Sequence, residues 1–367
     1  MHRITNTEQA QVSALSCEAP DVLRPRRIPL GNQAANNASV DIFEPRVSEY
    51  SDVEQGIHLG ERSPSRKAAD DLGRVLTLPG RFVGQTLASM LPLSVLTDAM
   101  VFPLWPEGYP EEFLSENRKM LEKRFRGEAV QIPVRDYAVG RIANPGSTIT
   151  LDGMYFEPLR KETKKTVIYC NPNAGVYETN SDIVEYYRNE IGVNLLVFNY
   201  RGVGESEGRP TTARTLNDME DIYKWLVTEK GLCESDVMVH GRSLGGAYAA
   251  ALAAKHPKMT LVCDRAFEDL ASAAKGMAGG GVGGSVMGGL AFMFSASELS
   301  THGYYQKVQG HKLCVADHHD EMFENYRGKG GDVIDLNSKK EFTHNRQELT
   351  LRSPLFERWV RENFLSK

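Results

Sequence analysis

Short apolar runs alternate with amphipathic stretches along the last two thirds of the chain. Continuous apolar runs predict strands buried on both faces of a sheet. The predicted strands are 130–134, 149–156, 166–170, 195–198, 237–239, 261–263, 313–316 and 333–336. Helical sequence lies between and after them, at 182–190, 213–229 and 355–364. This alternation predicts an α/β domain over 129–367 with a mostly parallel central sheet flanked by helices, opened by an antiparallel ribbon.

The pattern before this domain is different. Residues 1–75 carry few large apolar side chains and predict a disordered tail. Residues 76–128 predict a helical, partly apolar extension. Its run 82–105 is apolar but broken by Pro92, Asp98 and Pro103, which argues against a transmembrane span. The run fits a helix pair packed on the α/β domain, and also a hydrophobic wall of a binding site or a membrane-contacting patch.

Composition narrows the function classes. The 367 residues carry a formal net charge of −5, which gives a nucleic-acid partner no electrostatic support. The 5 cysteines are scattered and odd in number, which indicates buried thiols in a reducing, cytoplasmic compartment without a disulfide framework. No secretory signal is evident. The Ser-, Asn- and Gln-rich tail also fits export by a specialised bacterial secretion system with a chaperone bound to it, or a simple linker.

A glycine-rich pentapeptide, Gly241-Arg242-Ser243-Leu244-Gly245, lies between the predicted strand 237–239 and alanine-rich helical sequence at 247–254. Strand, sharp turn and helix in this order are typical of the Gly-x-Ser-x-Gly nucleophile turn. A serine in such a strained turn needs neighbours without side chains two positions away. The start of the following helix offers N–H groups to an oxyanion. Ser243 is therefore the predicted nucleophile, against the alternative of a tightly packed glycine turn.

Several segments together resemble the α/β-hydrolase superfamily, in particular its membrane-associated, depalmitoylase-like branch and hydrolases of chlamydiae and legionellae. The matching segments are Asn173-Ala174-Gly175, 200–210, Gly241-Arg242-Ser243-Leu244-Gly245-Gly246, the Asp320 segment and Thr343-His344-Asn345. They follow the family's order over roughly the last 200 residues. The resemblance implies an α/β-hydrolase fold and a triad in the order Ser, acid, His.

The resemblance also implies roles for particular residues. His344, in a loop after the last predicted strand, takes the position of the base. His256, in Lys-His-Pro at a helix end, is interpreted as a partner of the helix dipole. Aligning the family's His-Gly-x-x-Asp pattern places Asp320 in the acid position, although Ala316 and Asp317 replace His-Gly. Asp317 and Asp264 remain alternative acids.

Two backbone N–H groups should form the oxyanion hole. Leu244, directly after the nucleophile, is one predicted donor, and Asn173, in the loop after the strand 166–170, is the other. Asn173 and Gly175 also fit a simple turn.

The segment Asp317-His318-His319-Asp320 resembles a zinc-ligand pair, but no third and fourth ligand follow at a suitable spacing. We predict no metal and no cofactor. A glycine-rich stretch near 275–300 predicts a cap or lid, or else a flexible surface insertion.

These observations predict a serine hydrolase that cleaves an ester or thioester, with a fatty-acyl or lipid-like substrate favoured by the apolar segments. The substrate would be a small molecule or an acylated protein. The alternative is a catalytically inactive hydrolase fold that serves as a binding module or effector scaffold.

Overall fold

The computed structural model describes residues 109–139, 142–159, 162–277, 299–320, 322, 324–336 and 343–366. The predicted disordered tail (1–75), the apolar run 82–105 and most of the predicted lid (275–300) lie outside the described residues.

A single mixed sheet forms the centre of the described part of the chain. Its strands are β1 (Glu128–Val139), β2 (Ile142–Phe156), β3 (Thr166–Cys170), β4 (Asn194–Phe198), β5 (Val237–Arg242), β6 (Thr260–Asp264), β7 (Lys312–Ala316) and β8 (Asp332–Asp335). They lie in the order β1-β2-β4-β3-β5-β6-β7-β8. β1, β2 and β4 pair antiparallel, and every pair from β4 to β8 is parallel. The predicted opening ribbon and mostly parallel sheet are thus confirmed.

Helices cover both faces of this sheet. They are α1 (Glu111–Phe125), α2 (Ser181–Val184), α3 (Thr212–Lys230), α4 (Leu244–Ala253), α5 (Leu270–Met277), α6 (Thr301–Tyr305), α7 (Glu348–Leu351) and α8 (Pro354–Val360). Short 3₁₀ turns lie at Tyr177–Thr179 and Glu234–Asp236.

The helix predicted at 182–190 is only partly α-helical. α2 continues into a π-helical turn at Glu185–Ile191, and α8 likewise continues into one at Arg361–Leu365. In the first, the wider turn places two consecutive side chains, Tyr186 and Tyr187, in the core. Sequence periodicity did not predict this, because a π turn adds a single residue to the helical repeat.

Alternation along β3 builds two apolar cores, one on each face of the sheet. Ile168 and Cys170 pack with α3 and α4, whereas Val167 and Tyr169 pack with α1, α2 and α8. Because every residue of β3 is buried, the strand appears in the sequence as a continuous apolar run.

Cysteines in three strands agree with the sequence prediction. Cys170, Cys263 and Cys314 are buried free thiols, and burial raises the pKa of Cys170. None of the helices in the described part of the chain has the length and hydrophobicity that a membrane-spanning segment needs.

Candidate active site

The turn between β5 and α4 holds Ser243 in a strained conformation. Its φ of 52° and ψ of −117° lie where non-glycine residues are rare. A Cβ on Gly241 would lie 2.0 Å from the carbonyl oxygen of Gly245, and one on Gly245 would lie 2.1 Å from the carbonyl oxygen of Cys170. Side chains at these two positions would therefore force the turn apart. The two glycines are required by close backbone approach, as the sequence predicted.

The predicted oxyanion donors lie at the carboxyl ends of adjacent strands. Leu244 opens α4, so its N–H belongs to the first turn, where N–H groups have no acceptor within the helix. Asn173 follows β3, the neighbour of β5 in the sheet. The Asn173 loop is held by Tyr109, whose hydroxyl donates to the carbonyl of Ala174 at 2.6 Å. Both donors thus lie at the sheet edge where α/β proteins bind ligands.

A chain of hydrogen bonds joins three of the predicted residues. His344 Nε2 lies 3.0 Å from Ser243 Oγ, and His344 Nδ1 lies 2.6 Å from Asp320 Oδ2. Ser243 and His344 are 6% and 4% exposed, so both contacts are shielded from bulk water. With the ring proton on Nδ1, the imidazole donates to Asp320 and its Nε2 accepts from the Ser243 hydroxyl.

Asp320 is held as a carboxylate. Burial opposes its ionisation, but hydrogen bonds from His344 and Asn325 outweigh burial and hold the pKa of Asp320 below its usual range. Asn325 Nδ2 donates to Asp320 Oδ2 at 2.8 Å, and the N–H of Met322 donates to Oδ1 at 2.9 Å. These donors fix the orientation of the carboxylate that faces the imidazole.

Asn325 also connects Asp317 and Asp320, which lie in the loop after β7. Its Oδ1 accepts the N–H of Asp317 at 2.8 Å while its Nδ2 donates to Asp320. Sequence reasoning missed Asn325. The only available signal was its place five residues after a predicted acid, in a polar segment.

The alternative acids have other partners. Asp317 Oδ1 accepts the N–H of His319 at 3.0 Å. Asp264, at the end of β6, pairs with the guanidinium of Arg265 at 2.9 Å. The structure therefore brings Asp320, rather than Asp317 or Asp264, to His344 Nδ1.

His318 and His319, adjacent in the loop after β7, each contact a different carboxylate. His318 Nε2 lies 2.8 Å from Asp335, and His319 Nδ1 lies 3.6 Å from Asp317. Among the described residues, no group of three or more His, Cys, Asp or Glu side chains is arranged to hold a metal ion.

His256 lies away from the nucleophile and between two glutamates. Its Nδ1 is 3.0 Å from Glu234 and its Nε2 is 3.2 Å from Glu220, while its ring packs on Tyr223 with centroids 4.0 Å apart. These two acidic side chains are its hydrogen-bond partners, and its interaction with the helix dipole stays a prediction. The hydrogen bond from His256 is the main cause that lowers the pKa of Glu220 to about 2.

We expect His256→Ala to lower the free energy of unfolding by about 1.5–3 kcal/mol at pH 7, with no effect on ester hydrolysis. The folded-state pKa of Glu220 is depressed from 4.5. Its contribution to the free energy of unfolding is therefore present above pH 4.5 and is lost as pH falls towards 2. Urea unfolding between pH 4.5 and pH 2 should therefore show a smaller fall in the free energy of unfolding for His256→Ala than for wild type. Loss of hydrolysis in a folded His256→Ala protein would contradict this structural role.

Comparison with known proteins supports the same architecture. Residues 173–325 match the family profile described as X-Pro dipeptidyl-peptidase (S15 family). That segment includes Asn173, Ser243 and Asp320, ends before His344, and is less than half of the chain.

Two curated relatives match parts of the sequence. The multifunctional-autoprocessing repeats-in-toxin of Vibrio vulnificus is 28% identical over 138 residues, which are 38% of this chain and 2% of the toxin. Phosphatidylserine lipase ABHD16A of Pongo abelii is 25% identical over 222 residues, which are 59% of this chain and 37% of the lipase. The chain therefore spans less than half the length of either relative.

A solved structure extends the comparison to the fold. The crystal structure of an α/β hydrolase from Vibrio vulnificus superimposes with a TM-score of 0.54 at 20% identity, covering 74% of this chain and 92% of that chain. Together with the sheet order and the turn at Ser243, these similarities show that the chain has the α/β-hydrolase fold.

Proposed function

We propose that this chain is a serine hydrolase that cleaves an ester or thioester through an acyl-enzyme. The observation that carries the proposal is the hydrogen-bonded series Asp320–His344–Ser243, with the serine in a strained turn at the start of α4. Similarity to hydrolases at the superfamily level supports hydrolysis of esters or lipids.

In the first half of the proposed reaction, His344 Nε2 accepts the Ser243 proton as Oγ bonds to the acyl carbon. The N–H groups of Leu244 and Asn173 stabilise the resulting oxyanion. Collapse of this intermediate breaks the bond to the alcohol or thiol, which leaves with the proton from His344. Asp320 remains ionised and stabilises the imidazolium.

In the second half, His344 accepts a proton from water, whose oxygen attacks the acyl carbon. Collapse releases the carboxylic acid and returns the proton to Ser243. Both halves use the same base and the same oxyanion donors, so no cofactor or metal is needed to balance the reaction.

The favoured substrate is a fatty-acyl or lipid-like ester or thioester. The apolar runs at 82–105 and 276–294 support this substrate class, since methionine and aromatic side chains suit an acyl chain. The similarity to a phosphatidylserine lipase supports it as well. An acylated protein would present the same chemical group, and the run 82–105 would then serve as a membrane-surface contact.

Export remains a second part of the proposal. The Ser-, Asn- and Gln-rich tail would serve a specialised secretion system, and the partial match to a bacterial toxin is in keeping with an effector role. Deleting residues 1–75 should then block export without affecting hydrolysis. Unchanged export of the truncated chain would contradict this part alone.

We test the reaction with a series of p-nitrophenyl esters and matched acyl thioesters of increasing chain length. We expect an initial burst of nitrophenol that matches the enzyme concentration, because this good leaving group departs faster than water hydrolyses the acyl-enzyme. Each methylene buried in an acyl site contributes about 0.8 kcal/mol, so kcat/KM should rise about fourfold per methylene.

The controls use two serines. Ser353→Ala, at a helix start where the side chain makes no capping hydrogen bond, should behave as wild type, whereas Ser243→Ala should give no burst. Absence of turnover for every ester and thioester would overturn the hydrolase proposal. A flat chain-length series would overturn only the fatty-acyl preference.

A further inference from the structure

A buried ion pair, Asp264–Arg265, lies at the end of β6 beside the nucleophile turn. All five N–H donors of the Arg265 guanidinium have an acceptor. Nε and Nη2 donate to the Asp264 carboxylate at 2.9 and 3.1 Å, and Nη2 also donates to Thr350 Oγ1 at 3.2 Å. Nη1 donates to the carbonyls of Thr343 and Arg346 at 2.6 and 2.7 Å. The guanidinium therefore holds the backbone on both sides of His344.

The same dipeptide holds the nucleophile turn. The N–H of Ser243 donates to the backbone carbonyl of Asp264 at 2.9 Å. One residue later, Arg265 takes a φ of 45°, a rare conformation for a non-glycine residue, and donates its N–H to Val315 on β7 at 2.7 Å. Asp264 and Arg265 thus connect the Ser243 turn to the His344 loop. The carbonyls that Arg265 binds in that loop belong to Thr343 and Arg346, 78 and 81 positions later in the sequence.

Electrostatics keep this pair ionised although both side chains are buried. Burial opposes ionisation of Asp264, but attraction to Arg265 outweighs it and holds the pKa of that carboxyl well below its usual range. A buried pair of this kind adds little net stability over an apolar replacement, whereas removing one partner leaves the other charge uncompensated. Because net stability does not account for the pair, its place beside the active site favours a role in positioning the neighbouring residues.

We infer that Asp264 and Arg265 are positioning residues that set the separation between Ser243 Oγ and His344 Nε2. This inference rests on the proposed function, because it assigns the 3.0 Å contact between these atoms to the approach of base and nucleophile. Displacement of a reacting group by about 1 Å can cost about 100-fold in rate. Thr343 and Arg346 flank His344, so movement of their carbonyls moves the imidazole.

The decisive variant is Arg265→Lys, which keeps the positive charge but cannot serve the five acceptors in one plane. The control is Arg201→Lys, since Arg201 is another fully buried arginine, paired with Asp218 at 2.6 Å on α3. We measure the fluorophosphonate labelling rate of folded protein against probe concentration, which separates probe affinity from the covalent step.

We expect Arg265→Lys to lower the covalent rate about 100-fold with unchanged probe affinity. Arg201→Lys should lower the unfolding midpoint and leave the labelling rate within about threefold of wild type. A folded Arg265→Lys protein that labels like wild type overturns the inference. If Arg265→Lys does not fold, Asp264→Asn, which keeps the shape but removes the charge, takes its place with the same expected loss.

A second readout separates this inference from the proposed function. The His344 Nδ1 proton that bridges to Asp320 should give a strongly downfield proton NMR signal, which Arg265→Lys should broaden or abolish and Arg201→Lys should retain. If wild type is not labelled at all, the proposed function fails and this signal alone decides the positioning role. An unchanged signal in Arg265→Lys contradicts it.

Discussion

Replacing Ser243 with alanine is expected to lower kcat for ester hydrolysis by about 10⁶-fold. In the proposed reaction, the substitution removes the atom that forms the acyl-enzyme, and water cannot replace Oγ efficiently. His344 loses its 3.0 Å partner, while Gly241 and Gly245 still allow the turn to form. Steady-state kcat with a p-nitrophenyl ester measures the effect.

The His344→Ala substitution provides the matched comparison. Groups that act as a unit are strongly non-additive, so the double variant should be no slower than either single variant. Residual hydrolysis above the uncatalysed rate should come from the oxyanion donors and substrate binding alone. A folded Ser243→Ala protein that retains more than about 1% of wild-type kcat would show that another residue is the nucleophile.

The second large effect is expected for Asp320→Asn, which should lower kcat by about 10⁴-fold. An asparagine amide can turn its NH₂ towards His344 Nδ1, which stabilises the ring tautomer with its proton on Nε2. That tautomer cannot accept the Ser243 proton. The N–H of Met322 would still donate to the amide oxygen in the Oδ1 position, so the side chain stays in place and only its hydrogen bond to His344 changes. The pH-independent plateau of kcat gives the measurement.

Asp317→Asn is the control, because it changes the other aspartate of the segment Asp317-His318-His319-Asp320. Asparagine Oδ1 can accept the N–H of His319 as the Asp317 carboxylate does, so kcat should stay within about threefold of wild type. A large loss at Asp317 with little loss at Asp320 would reverse the assignment of the acid. Thermal midpoints of both variants establish that each protein is folded.

Sequence patterns predicted the strands and the three residues that meet at the site for a definable reason. Parallel strands buried on both faces give continuous apolar runs, and β3, β5, β6 and β7 all end at one sheet edge. Chemistry-bearing residues just after such strands must therefore lie near each other. Ser243 and Asp320 follow β5 and β7 in this way, and His344 follows β8.

The residues that support the site could not be predicted in the same way. Arg265 reaches Thr343 and Thr350 across 78 and 85 positions, and no local spacing indicates such contacts. Asp264, at a strand end, fits the acid position by its place in the sequence, but its carboxylate pairs with the neighbouring Arg265 guanidinium. Partner choice among buried polar groups depends on three-dimensional packing, which hydrophobic periodicity does not encode.

Mass spectrometry of the fluorophosphonate-treated protein tests the central claim most directly. The account predicts one phosphonyl adduct per chain, located by peptide digestion on Ser243, and no adduct on folded Ser243→Ala. The Ser353→Ala control should carry the adduct as wild type does. An adduct on a different residue, equal labelling of wild type and Ser243→Ala, or a folded wild-type protein that is not labelled would contradict the assignment of Ser243 as the nucleophile.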